Sequence, residues 1–391
     1  MATQEHPKDG TRLLVRQESP RRMIEVPQLR QLNRHEAHRP DAPLGPKLSM
    51  KILVATPIYP SRENPARGTF VRTQVEYLKR AGVEVELLVV GERSRKLKYP
   101  KAALELRRRL RDSSIDLVHG HYSYAGIVAR MQWKVPVVVS YCGDDLLGIV
   151  NARGRQTLFG RLAVSAGRLL SHQVDGVIVK SRGMASKLGR KKDVHVIPHE
   201  IDLELFQPTD REQARKRLGL DLRRKYVLFA ANPDIPVKRF PLAKAVLDHV
   251  SRLDPTVELL VVYREAQERL PLFMSASDAL IFTSYQEGSP NVVKQAMACN
   301  LPIVSTDVGD VQEIIGKSDG CFISRPDVRE FARHLSGILR DRERTNGREQ
   351  VRHLAGPAVA QRIIEVYEQV LRNRRRHEAQ RTLASLFFAR K

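Results

Sequence analysis

The stretch YQEGSPNVVKQAMACNLP, residues 285–302, decides how the rest of this chain is read. Glu287 falls in a loop, Ser289 is a natural helix N-cap, and Pro290 occupies the first helical position, where a missing N–H costs nothing. A helix is therefore expected from about Pro290. Its free backbone N–H groups at Asn291 and Val292 form an anion site, and Gln295 lies one turn further along the same face. That arrangement suits a nucleotide diphosphate beside a sugar. It is equally what a strand, a turn and a buried helix of any α/β enzyme would look like, with Ile281, Phe282, Val292, Val293, Ala296, Met297 and Ala298 as core.

Working outward, the short β-branched runs alternate with helical stretches, as in a parallel sheet with crossover helices. Candidate strands are 52–55, 85–90, 117–118, 135–140, 176–179 and 194–197, and a second series runs 226–230, 259–262, 279–282, 303–305 and 321–323. Two series imply two Rossmann-like domains facing across a cleft, the default substrate site in open α/β sheets. No GxGxxG follows the first strand, which disfavours a dinucleotide there. The expected organisation is an extension at 1–49, domains at 50–205 and 206–355, a helix at 356–372 crossing back to the first domain, and a basic amphipathic tail at 373–391.

With 42% hydrophobic and 28% charged residues most of the 391-residue chain should fold, comfortably as two domains. Residues 1–49 are polar, charged and proline-bearing, and MKILVATPIYP from Met50 reads as a fresh start followed by a buried strand. Either 1–49 are a flexible extension or an upstream residue has been taken as the initiator. No apolar run is long enough to cross a bilayer and no signal peptide is apparent. Cys142, Cys299 and Cys321 are too dispersed for a disulfide framework or zinc site, in keeping with a reducing cytoplasm. The net charge of +23 implies an anionic partner surface.

The segment at 285–302 resembles the Glu-x7-Glu signature of family 4 glycosyltransferases, retaining enzymes of the GT-B fold. The resemblance implies that Glu287 contacts a donor sugar and that position 295 binds the ribose, although this chain has Gln295 in place of the second Glu. IPHEIDLELFQP at 197–208 is similar to the family's domain-junction sequence. ANPDIPVKRF at 231–240 is similar to its phosphate loop, which makes Lys238 the candidate cation for the donor diphosphate, with Arg239 beside it. The family commonly carries an Arg a few residues earlier, where Asn232 and Pro233 stand here.

In DLVHGHYSYAG, His121 matches the family's donor-sugar histidine, and His119, nearer the strand, reads as packing. Asp144 and Asp145 resemble the Asp-x-Asp metal motif of the other major transferase fold, but that fold has a different strand order. They are assigned to the acceptor side or to a structural turn, without a metal. Gly68, in the loop after the first strand, would allow close backbone approach to a phosphate or acceptor. No metal or other cofactor is expected, the nucleotide-sugar being a substrate.

The implied reaction is transfer of a sugar to a hydroxyl of a glycan or lipid-linked acceptor. Lys96, Lys98, Lys101 and Arg107–Arg109, with the tail residues Arg374, Arg375, Arg376, Arg381, Arg390, Lys391, Leu383, Leu386, Phe387 and Phe388, are candidates for holding the protein on an anionic membrane at the cytoplasmic face. Two other classes stay open: a nucleic-acid- or membrane-binding protein on an inactive transferase-like scaffold, and a GT-B sugar-nucleotide epimerase. At 6% aromatic residues and with no stacking motif, nucleic acid is disfavoured.

Overall fold

The computed structural model describes residues 50–62, 64–91, 97–316 and 318–388, with side chains as far as 380. The extension at 1–49, Lys96, Arg390 and Lys391 lie outside the described residues, as do the side chains of Arg381, Leu383, Leu386, Phe387 and Phe388.

Among the described residues eleven strands form two parallel sheets. The first contains β1 (Lys51–Thr56), β2 (Glu84–Val89), β3 (Leu117–His121), β4 (Val137–Tyr141), β5 (Gly176–Val179) and β6 (Val194–Val196), in the order β2-β1-β3-β4-β5-β6. The second contains β7 (Lys225–Phe229), β8 (Val257–Val261), β9 (Ala279–Phe282), β10 (Ile303–Ser305) and β11 (Cys321–Ile323), in the order β11-β10-β9-β7-β8. Strands such as Val137–Tyr141 are buried along their whole length, because crossover helices cover both faces. The fold is therefore GT-B, two Rossmann-like domains. Strand order reverses beside β1 in one sheet and beside β7 in the other, the positions where open α/β sheets bind their ligands.

Alternate residues of the first sheet serve two cores. Leu53, Ala55, Val118, Val139 and Val177 pack beneath the helices Lys98–Asp112, Tyr122–Arg130 and Leu158–Ser171. Ile52, Val54, Leu117, Val138 and Ile178 pack beneath Thr69–Arg80 and the last helix, Gly356–Phe388, which inserts Val359, Ile363, Val366, Tyr367 and Val370. That last helix is continuous, so no break falls at 372–373, where the sequence reading divided a helix from a tail. The segment beyond Asn373 is rich in helix formers, and Arg374 pairs with Glu378 one turn on at 2.6 Å.

Ile201 and Phe206 belong to the core of the second domain, so the crossing lies a few residues before the expected boundary at 206. The chain crosses between domains twice, and the two crossings lie side by side. Ile201 N–H donates to Leu354 O (2.9 Å) and Gly356 N–H donates to Ile201 O (3.2 Å).

Candidate active site

The loop after β9 and the loop after β7 are tied together at the carboxyl edge of the second sheet. Tyr285 N–H donates to Val237 O (2.8 Å), and Thr283 Oγ1 donates to Lys238 O (2.9 Å). This brings Lys238, on the short 3-10 turn Pro236–Lys238, against Glu287, although the two are 49 residues apart in sequence. Lys238 Nζ donates to Glu287 Oε1 at 2.6 Å, and Ser284 Oγ donates to the same oxygen at 2.9 Å. A shallow pocket between the two loops is lined by Ala230, Ala231, Lys238, Thr283, Ser284 and Val292. Arg239 takes a different course: its guanidinium stacks over the Tyr285 ring at 4.5 Å.

The Glu287 loop also presses on the first domain. Gln286 Nε2 donates to Gly148 O (2.6 Å), a Cβ on Gly288 would stand 3.1 Å from Cys142 O, and one on Gly154 would stand 2.8 Å from the Tyr285 ring. Asp144 approaches Glu287 and Lys238 from this side. Desolvation there and the Glu287 charge raise its carboxyl above the usual range, while Lys238 acts against them. Its neighbour Asp145 is fully buried and accepts from the N–H groups of Ser123 (3.0 Å), Cys142 (3.2 Å) and Gly143 (2.9 Å). Asp145 therefore shapes the loop and cannot reach an acceptor.

The helix after this loop runs Asn291–Ala298 with Pro290 as its N-cap residue and no side-chain cap, which corrects the assignment of Ser289 to that role. The Ser289 hydroxyl is taken by stronger, charged partners. It donates to Asp310 Oδ2 (2.6 Å) and accepts from Lys294 Nζ (2.9 Å), which also donates to His199 O (2.8 Å). Lys294 is wholly buried, and burial lowers it to about 8 despite the attraction of Asp310. Burial likewise pushes Asp310 up to about 6, with Lys294 and Ser289 opposing. The start of the helix still faces the Lys238 pocket through Val292, and Asn291 Oδ1 is buried without a partner. Gln295 is half-buried one turn along.

His121 is fully buried at the end of β3. Its Nε2–H donates to Gln74 Oε1 (2.7 Å), its ring stacks on His119 at 4.4 Å, and its Nδ1 has no partner. Burial, with the positive charge of Lys180, holds it well below its ordinary pKa, so the ring is neutral at pH 7 and serves as a hydrogen-bonding group. His119 is shared between Tyr367 OH (2.6 Å) and Ser140 Oγ (2.8 Å), a packing role. Gly68 starts the helix Thr69–Arg80 at φ +74°, and a Cβ there would stand 2.8 Å from the Ile58 carbonyl. Its glycine is explained by that turn and not by a ligand.

Sequence reasoning missed Lys294, Asp310, Lys180 and Glu200. Lys180 Nζ and Glu200 Oε1 are buried below the cleft without hydrogen-bond partners. A lysine between the apolar positions Val292, Val293, Ala296 and Met297 was the available signal for Lys294. Among the described residues, no three His, Cys, Asp or Glu side chains converge as metal ligands.

Residues 51–200 match the family described as Glycosyl transferase 4-like domain, and residues 239–341 match Glycosyl transferases group 1. TuaC of Bacillus subtilis, named as a teichuronic acid biosynthesis glycosyltransferase, is 24% identical over 355 residues, covering 73% of this chain and 88% of its own. The D-inositol 3-phosphate glycosyltransferase of Mycobacterium marinum is 27% identical over 268 residues, 59% of this chain and only 57% of the relative's length. Sucrose-phosphate synthase from Thermosynechococcus elongatus has the same fold, with a TM-score of 0.67 at 19% identity over 83% of this chain and all of that one. HepE from Anabaena, solved with UDP, gives 0.61 at 17% identity over 82% of this chain and all of its own.

Proposed function

This chain belongs to the family 4 glycosyltransferases of the GT-B fold, and on that premise we propose that it moves a sugar, with retained anomeric configuration, from a nucleotide-sugar to a hydroxyl of a glycan or lipid-linked acceptor in cell-surface polysaccharide or glycolipid synthesis. The observation that carries the reading is the part-buried Lys238–Glu287 contact of 2.6 Å, in the loops that precede the helix start at Asn291.

In this reading Lys238 leaves Glu287 for the donor diphosphate when donor binds, and its charge opposes the negative charge that builds on the leaving group. The N–H groups at Asn291 and Val292 add to that field. Glu287, released, accepts hydrogen bonds from donor-sugar hydroxyls, and Gln295 accepts one from the ribose. His121, neutral, orients the sugar from the first domain. The acceptor hydroxyl attacks from the face the nucleotide leaves, and its proton passes to the departing phosphate, so no protein nucleophile is required. Asp144 borders the acceptor side. No metal or other cofactor takes part in this scheme, and the protein works at the cytoplasmic face of the membrane.

The test is a panel of UDP, GDP and ADP sugars in a thermal-shift screen, followed by assay of nucleoside diphosphate release. Release only when an acceptor is supplied supports transfer. Isomerisation of the donor without acceptor, or no stabilisation by any donor, refutes it.

A further inference from the structure

Among the described residues twelve large apolar side chains are exposed, and nine of them belong to or flank the helices Lys98–Asp112, Tyr122–Arg130 and Leu158–Ser171 on one face of the first sheet. The helix Leu158–Ser171 is the centre of this face. It buries Gly160, Ala163, Val164, Gly167 and Leu170 against the sheet, yet leaves Leu158, Phe159, Leu162 and Leu169 between 62% and 74% exposed. An ordinary surface helix is polar on its outer side. The helix Arg211–Leu218 of the second domain follows that rule, exposing Glu212, Gln213, Lys216 and Arg217.

The apolar outer face is also basic. Arg153, Arg155, Arg161 and Arg168 are exposed, and residues 146–174 contain no Asp or Glu. The same segment borders the candidate active site: the turn before the helix touches Tyr285 through Gly154, and Gly148 accepts from Gln286. A basic helix with bulky apolar side chains among its arginines fits a lipid headgroup boundary, where the apolar groups enter the acyl region and the guanidinium groups meet phosphates. A second copy of this chain is the poorer occupant, because a two-fold contact would bring these uncompensated arginines together.

We propose that this face, centred on Leu158–Ser171, docks the protein on an anionic lipid bilayer with the mouth of the cleft turned toward the headgroups. A lipid-borne hydroxyl then reaches Glu287 without leaving the membrane. The inference rests on the membrane-surface part of the reading above and not on sugar transfer. It moves the contact away from Arg107–Arg109, where Arg108 and Arg109 pair with Glu105 and Arg107 donates to Met131 O.

The experiment is flotation of the full chain with vesicles of phosphatidylcholine alone or mixed with phosphatidylglycerol. Wild type should bind the mixed vesicles. L158S/F159S/L162S/L169S should weaken that binding on the order of a hundred-fold, and R153Q/R155Q/R161Q/R168Q should remove the preference for the anionic lipid. Circular dichroism and melting check that both variants fold, and thermal shift with a nucleotide-sugar should be unchanged in both. If no donor stabilises even the wild type while the vesicle pattern holds, sugar transfer fails and docking stands. The docking proposal is overturned if the apolar variant binds like wild type, if wild type binds neither vesicle, or if binding is lost instead in R374Q/R375Q/R376Q. Self-association of wild type that disappears in the apolar variant, without vesicle binding by either, assigns the face to a second copy and also overturns it.

Discussion

Lys294→Met tests the buried network behind the Glu287 loop. At pH 7 Lys294, lowered to about 8, and Asp310, raised to about 6, are both mainly charged, and the Ser289 hydroxyl links them at 2.9 and 2.6 Å. Removing one member of a buried pair costs about 3–5 kcal/mol. Met occupies nearly the same volume and relieves the desolvation of the ammonium, so a net loss of about 2–3 kcal/mol is expected at pH 8. The loss depends on pH in a definite direction. Asp310 holds its proton more tightly folded than unfolded, so its contribution to stability falls as pH rises from its ordinary value of 3.8 through about 6. Without Lys294 that fall continues to higher pH, and the deficit relative to wild type widens by up to about 1.4 kcal/mol per pH unit above 6. At pH 5, with Asp310 mostly protonated, the deficit should shrink to about 1 kcal/mol or less. Urea unfolding followed by circular dichroism at pH 5 and pH 8 measures it, and a cycle with Asp310→Asn should give a coupling of about 1–3 kcal/mol at pH 8 only. An equal loss at both pH values, or additivity within about 0.5 kcal/mol at pH 8, would refute the reasoning.

Lys238→Met should lower kcat by about 10²- to 10³-fold, read as nucleoside diphosphate release, with less than about 1 kcal/mol change in stability because the pair is partly solvated; a fall under tenfold contradicts its assigned charge role. Gln295→Glu should tighten donor binding by about 1–2 kcal/mol in calorimetry, and unchanged or weaker binding shows that position 295 does not hold the ribose. Asp278, fully buried, accepts from Arg215 (2.7 Å), Arg211 (2.9 Å) and Tyr226 N–H (2.7 Å). Asp278→Asn should therefore cost about 3–5 kcal/mol in urea unfolding, and a loss below about 1 kcal/mol would show that the cluster relaxes onto water.

The two sheets were readable from the amino acids because strands buried on both faces appear as β-branched runs between turns, as at Val137–Val139. Glu287 and Lys238 were individually visible as motif positions, but their contact was not, since it depends on the adjacency of β7 and β9. Ser289 was misread for a physical reason: Ser-Pro before an apolar run favours a local cap, and two buried charges outcompeted it. Lys294 was passed over because lysines ordinarily face solvent. Its neighbours Val293, Ala296 and Met297 mark a buried helix, but nothing nearby in sequence identifies Asp310 and the His199 carbonyl as its partners. The basic exposed face could be located only once the fold separated the outer residues of Leu158–Ser171 from the inner ones.

The paired crossings at Ile201 and Gly356 give the molecule a mechanical character. Two strands bonded to each other resist stretching and shearing but yield to twist, so they behave as one short torsion bar. Gly356 clamps one end of this bar: a Cβ there would overlap the Tyr77 ring at 2.1 Å. Other joints between the domains are individual side-chain bonds, such as Gln286 to Gly148 beside Glu287 and Arg72 to Glu268. A rotation that parts them would widen the cleft for a nucleotide-sugar while both cores and the paired crossings stay intact.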